Sequence, residues 1–220
     1  MTTETKERDY YKVLLVSQSG RGKTFSFRNM NSETTGFINV ENKPLPFKNE
    51  FKYHYRPDNY VDAYNKLIEY AKDPNIDCIV LDSLSSYLDM VVLEARKTKK
   101  NFDIWNMVND EASKIFNIIK RIKKEVFVTA HYEILGIEGS QEKRVKIKGK
   151  EHEGNVEKDF TIVLYADRKL EGDKKQVNAW FDLALENSSA KCPPDIFGAD
   201  VFQIPNDSKL ILDKIKEFTK

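Results

Sequence analysis

Four short apolar runs punctuate the first 130 residues: Val13-Leu14-Leu15-Val16, Gly36-Phe37-Ile38-Asn39-Val40, Ile76-Asp77-Cys78-Ile79-Val80-Leu81 and Val126-Phe127-Val128-Thr129-Ala130. Apolar side chains at consecutive positions mark strands buried on both faces, as in a parallel sheet. Between the runs the spacing changes. After Asp58, a helix-capping residue type, Tyr60, Val61, Tyr64, Leu67, Ile68 and Ala71 recur at helical spacing until Asp73-Pro74. A second stripe carries Trp105, Val108, Ala112, Ile115, Phe116, Ile119 and Ile122, with Asp110, Lys114, Lys120 and Arg121 off it. Alternating strands and helices predict a parallel sheet with right-handed crossovers.

Beyond residue 132 the pattern changes. Residues 134–148 alternate like a β-hairpin. Residues 160–166 read as a strand, turned at Glu171-Gly172-Asp173 into another over 176–185, so this end of the sheet is expected to be antiparallel. Asp207 or Ser208 caps a last helix over 207–220, with Leu210, Ile211, Ile215 and Phe218 as its apolar side. Residues 1–10 are polar and read as a loose lead-in. With no repeat and no linker, residues 1–220 are expected to form a single α/β domain, a mainly parallel sheet flanked by helices with an antiparallel extension at the C-terminal side.

Charge changes this picture little. Lys+Arg number 36 and Asp+Glu 35, so affinity for nucleic acid must come from local clusters, not from net charge. No apolar run reaches the length of a membrane span, and the acidic, Thr-rich start does not read as a signal peptide. Cys78 and Cys192 have no metal-ligand spacing and read as reduced thiols, which fits a cytoplasmic protein without a membrane partner.

The chemistry begins where the first strand ends. Ser17-Gln18-Ser19-Gly20-Arg21-Gly22-Lys23-Thr24 fits the P-loop pattern G-x-x-x-x-G-K-[ST], with Ser17 in place of the first glycine and a helix expected from Gly22 through Phe25 to Asn29. Small residues let backbone N–H groups wrap phosphate oxygens, and the helix N-terminus adds partial positive charge. Ser17, Gln18, Ser19, Gly20, Arg21, Gly22, Lys23, Thr24 and Phe25 are therefore the nucleotide-binding candidates, with Lys23 on the β- and γ-phosphates and the Thr24 hydroxyl on Mg²⁺.

A P-loop metal needs a carboxylate at the end of a neighbouring apolar strand, and Asp82 stands there. Ser83 follows it, so the hydrolytic base must lie elsewhere; Glu41, at the end of the second strand, is the candidate. His131 ends the strand after Asp82, where ligands collect in a parallel sheet, and is the candidate sensor of the γ-phosphate. The plainer alternatives are a strand cap for Asp82, an exposed loop acid for Glu41 and a structural histidine for His131.

In this order the residues resemble the RecA-like ATPase core, and more narrowly phage-encoded RecA-like nucleotide-binding proteins, including Sak-type ATPases associated with single-strand annealing. The further echoes are Asn42-Lys43-Pro44-Leu45-Pro46-Phe47, Thr129-Ala130-His131-Tyr132-Glu133, Lys148-Gly149-Lys150 and Ser189-Ala190-Lys191-Cys192-Pro193-Pro194. The resemblance implies a RecA-like P-loop NTPase core, hydrolysis of ATP with Mg²⁺ and Glu41 as base, and a homo-oligomer in which a neighbour's basic residue completes each ATP site. It also implies a role in phage recombination, repair or replication, in the host cytoplasm, alongside an annealing or single-strand-binding protein. The resemblance does not extend to the long extra domains of full recombinases, so strand exchange is not expected.

Two basic segments follow the Asp82 and His131 strands: Arg96-Lys97-Thr98-Lys99-Lys100, and Lys143-Arg144-Val145-Lys146-Ile147-Lys148-Gly149-Lys150. In the second, Arg144, Lys146, Lys148 and Lys150 share one face of an extended segment and Val145 and Ile147 the other. The resemblance implies that both segments face single-stranded DNA. A basic strip there would follow a phosphate backbone, and Tyr87, Phe102, Trp105 or Tyr132 could stack bases, although the helical stripe assigns Trp105 to the core. Lys148 or Lys150 acting on a neighbour's ATP, and plain solvated surface, are the alternatives. A nucleotide kinase would need an arginine-rich lid, a GTPase an [NT]-K-x-D segment, and a non-hydrolysing ATP-dependent scaffold would share every binding residue.

Overall fold

The structure, a computed structural model, describes residues 8–138, 140–148, 156–171 and 176–220. Lys150, Gly149, most of the lead-in and the turn at Gly172-Asp173 lie outside them. Each predicted apolar run is a strand: β1 (Lys12–Val16), β2 (Thr35–Asn39), β4 (Cys78–Asp82) and β5 (Glu125–Ala130), every residue of which is buried. A short edge strand, β3 (Tyr53–Tyr55), falls in the aromatic stretch before the first helix, where half-burial leaves no clear apolar period.

With β8 (Ile162–Glu171), β9 (Gln176–Asp182) and β10 (Gln203–Pro205), the described strands form an eight-stranded sheet in the order β10-β9-β8-β1-β5-β4-β2-β3. All pairs from β3 to β8 are parallel; β8–β9 and β9–β10 are antiparallel. The parallel part thus extends one strand further than expected, because β8 docks beside the P-loop strand before it turns back. A separate ribbon joins β6 (Tyr132–Leu135) to β7 (Glu142–Val145).

Alternate strand residues feed two cores, as strand geometry requires. Leu14, Val16, Ile79, Leu81, Val126 and Val128 face the helices α1 (Tyr60–Lys72), α2 (Leu84–Thr98) and α3 (Phe102–Arg121). On the other face, Val13, Leu15, Val80, Phe127, Ile162 and Leu164 pack against Phe27 and, after the short α4 (Pro194–Phe197), the last helix α5 (Ser208–Phe218). Asp207 caps α5 as expected, but Asn59, not Asp58, caps α1.

Four further expectations are corrected. After the P-loop the chain makes a six-residue 3-10 segment, Thr24–Asn29, and not an α-helix; Met30 N–H closes it onto Phe27 O, and Phe27 is buried within one turn. Between β4 and β5 stand two helices, not one, so Arg96 and Lys97 lie in the last turn of α2 and Lys99 and Lys100 in the α2–α3 connection. Trp105 leaves the α3 core stripe and is 43% exposed, although Ile104 and Met107 beside it pack on the core; Phe102 is 82% exposed. Tyr87 is fully buried, which removes it from the base-stacking candidates.

Candidate functional site

The carboxyl ends of β1, β2, β4 and β5 bring the P-loop, Glu41, Asp82 and His131 to one edge, the place where parallel sheets bind ligands. Two P-loop glycines supply backbone that side chains rarely adopt: Gly20 has φ +75° and Gly22 φ +101°. Ser17 is not among the positive-φ residues, so its Cβ adds no strain there. Its hydroxyl donates to Gln18 O at 2.8 Å.

Lys23 is folded into the loop. Its ammonium donates to Ser17 O (2.9 Å), Ser17 Oγ (3.0 Å) and Gln18 O (3.1 Å). Burial lowers its pKa to about 8, against the opposing pull of Asp82 and Glu41. His131 Nδ1 stands 3.3 Å from that ammonium and 3.1 Å from Ser17 O, and burial together with Lys23 lowers its pKa, so the ring is neutral at pH 7. Nδ1 therefore faces both a donor, Lys23, and an acceptor, Ser17 O.

Asp82 is buried at the end of β4, and burial raises its pKa above the usual carboxylate range while two hydroxyl donors oppose the rise. Thr24 Oγ1 donates to Oδ2 at 2.8 Å, and Thr129 Oγ1 donates to Oδ1. A hydroxyl touching a single buried carboxylate suits Mg²⁺, which takes one or two protein oxygens and completes its shell with phosphate and water. Among the described residues, no group of three or more His, Cys, Asp or Glu side chains forms a metal cage.

Glu41 projects from the end of β2. Its Oε1 is 3.9 Å from His131 Nε2, and Lys43 donates to Oε2 at 3.0 Å. Glu41, His131, Lys23, Thr24, Phe25, Pro46 and Arg168 line one hollow of about 290 Å³ with the outer part of the P-loop. Phe25 is 41% exposed at its rim, with the Arg28 guanidinium 4.5 Å from the ring centre.

The basic segments occupy different places. Lys146 N–H donates to His131 O at 2.7 Å, so the second segment is rooted on the candidate sensor. Val145 is buried, Lys146 exposed and Ile147 packs on the core, so the predicted alternation holds over 145–147, while Arg144 and Lys148 are half-buried. Lys148 pairs with Asp89 of α2 at 3.6 Å, and Arg144 with Glu142 at 2.9 Å. Arg96, Lys97, Lys99 and Lys100 are exposed at the far end of α2, about 20 Å along the helix axis from its start beside Asp82.

Residues 9–189 match the AAA_24 family, an AAA domain. The chain belongs to this family. No curated protein matches the chain. Among solved structures, a KaiC-like protein from the hyperthermophilic archaeon Pyrococcus horikoshii OT3 is similar over 78% of this chain and 76% of that one, with 16% identity and a TM-score of 0.47. The match spans the P-loop pattern at residues 17–24 and the acidic strand end at Asp82.

Three contributors carry no sequence signal. Thr129 is one apolar-run residue among others until β5 sets it against Asp82. Ser85, in the first turn of α2, accepts the His131 N–H at 3.0 Å. Asn206 lies far along the chain, yet its buried side-chain amide sits where a Cβ on Gly22 would meet it at 3.3 Å. Neither amide atom has a hydrogen-bond partner among the described residues.

Proposed function

We propose that this AAA_24 domain is a Mg²⁺-dependent ATPase of the RecA-like kind that works on single-stranded DNA. The observation that carries the reading is the convergence of Lys23, the Thr24–Asp82 pair, His131 and Glu41 on one sheet edge. Lys23 and the P-loop N–H groups hold the β- and γ-phosphates, and Thr24 and Asp82 hold the metal. Glu41 orients and deprotonates the attacking water once Lys43 releases it. His131 senses the γ-phosphate through Lys23 and passes its presence to the Lys146 backbone.

The DNA part rests on Arg144, Lys146 and Lys148 next to that sensor, and on the basic α2–α3 connection with exposed Phe102 and Trp105 beside it. Cations and aromatic faces together suit a single strand. Residues 1–220 act as one domain in a homo-oligomer that shares ATP sites, in the manner of Sak-type phage proteins, with an annealing or single-strand-binding protein as partner.

Release of inorganic phosphate from ATP tests this reading, measured with and without a single-stranded oligonucleotide across a salt series. Stimulation that fades with salt is the expected result. The Lys43–Glu41 contact favours a second reading, a nucleotide-gated scaffold with little turnover, which predicts ATP binding without phosphate release.

A further inference from the structure

The β8–β9 ribbon reaches beyond the sheet edge beside the P-loop. Only the first part of β8 pairs with β1, from Ile162 opposite Val13 to Tyr165 opposite Val16. From Ala166 onward β8 pairs with β9 alone, so residues 166–171 stand above the carboxyl edge. The P-loop is tied to this extension: Arg21 pairs with Asp167 Oδ1 and donates to Arg168 O, both at 3.2 Å.

Three arginines surround the loop, and two of them are engaged. Arg21 is held by the ribbon, and Arg28 donates to Asn206 O at 2.6 Å while covering Phe25. The guanidinium of the third, Arg168, makes no ion pair or hydrogen bond among the described residues; only its backbone is engaged, its N–H donating to Asp167 Oδ1 at 2.8 Å and its carbonyl accepting from Arg21. Its guanidinium nitrogen lies 3.9 Å from where a Cβ on Gly20 would be. Arg168 also lines both hollows beside the loop: the one shared with Lys23, Glu41 and His131, and an adjoining one of about 550 Å³ bounded by Ser19, Gly20, Arg21, Lys169, Leu170 and Val177.

An unpaired guanidinium against a phosphate-binding loop matches oxyanions in geometry and charge, since its planar fork can donate two parallel hydrogen bonds. We infer that Arg168 contacts the terminal phosphate of ATP bound to its own subunit's P-loop, so that part of the charge stabilisation is supplied in cis. The inference rests on the ATPase reading and adds a residue to it. It also gives the Arg21–Asp167 tie a purpose: it holds the ribbon at a fixed distance from the loop, and Arg168 stays in reach of the phosphates.

The test uses the full chain with Mg²⁺ and compares ATP with ADP by titration calorimetry. Arg168→Ala is expected to lower ATP affinity about tenfold or more, as loss of a charge-assisted hydrogen bond does, and ADP affinity far less. Arg168→Lys should fall between. An equal loss for both nucleotides, or none, overturns the contact. Mixing Arg168→Ala with Lys23→Ala chains separates cis from trans: a trans-acting arginine would restore phosphate release in composite sites, and a cis-acting one gives no gain. Recovery in the mixture overturns the assignment. Arg168 is exposed, so the fold should tolerate both changes, and an unchanged melting temperature verifies this. Wild-type protein that takes up no ATP defeats the ATPase reading itself, and the Arg168 contact with it.

Discussion

The Thr24 hydroxyl donates to Asp82 Oδ2 at 2.8 Å, joining the end of the P-loop to a strand that is not its neighbour. β5 lies between β1 and β4, and its Thr129 donates to the other carboxylate oxygen. The Asp82 carboxylate is therefore set by three strands at once.

Removing one of these donors should be felt in the fold. Thr129→Val keeps the shape but leaves Asp82 Oδ1 buried without its donor, which should destabilise the protein by about 1–3 kcal/mol in urea unfolding at neutral pH. Loss of that donor also raises the Asp82 pKa further, so the deficit should shrink as pH falls and the carboxyl group protonates. A deficit that is flat with pH would contradict an ionised Asp82.

Glu41→Gln should separate binding from turnover. The amide keeps the size of the side chain and cannot accept the water proton, so phosphate release should drop by about two orders of magnitude or more while ATP affinity holds. An unaltered rate would refute Glu41 as the base.

ATP affinity should depend on pH through Lys23. Its pKa near 8 in the nucleotide-free protein rises when phosphate arrives, because the anion favours the ammonium. Binding energy from this group is then fully present below that pKa and is lost as pH climbs above it, by up to about tenfold in affinity per unit. Calorimetry near pH 8.5 in two buffers of different ionisation enthalpy should show proton uptake on binding; none in either would falsify the linkage.

Gly22 should resist substitution for two separable reasons. Alanine there meets both a left-handed backbone, φ +101°, and the Asn206 amide at 3.3 Å. Gly22→Ala should lower stability by about 1–3 kcal/mol and weaken nucleotide binding. Asn206→Ala removes two unpartnered polar atoms and should itself be near neutral. In the double variant part of the loss should return, and the remainder measures the backbone strain.

The proposed DNA contact has its own signature. Lys146→Ala should weaken binding to single strands of any sequence and lessen the slope of log affinity against log salt by about 0.7. Trp105 is exposed near the α2–α3 turn, so its fluorescence should be quenched by DNA and not by ATP alone. Quenching that survives Trp105→Phe would place the contact elsewhere.

Much of this protein was legible in its sequence because the information was local. Residues 13–24 contain both an apolar strand and a phosphate-binding loop, and each depends on near neighbours alone. The ends of β2, β4 and β5 were readable for the same reason, so Glu41, Asp82 and His131 could be named, and the Val145–Lys146–Ile147 alternation held. Helical spacing marks a face without saying which of its residues meet the core, so it does not separate α2 from the basic segment that follows it and assigns the exposed Trp105 to the core. Tertiary structure alone decided the rest. Only the strand order puts Thr129 against Asp82, and only the return of a distant segment sets Asn206 under Gly22. The ribbon that carries Arg168 rises beside Gly20 because β8 pairs with β1, and pairing across some 150 residues leaves no trace in local pattern.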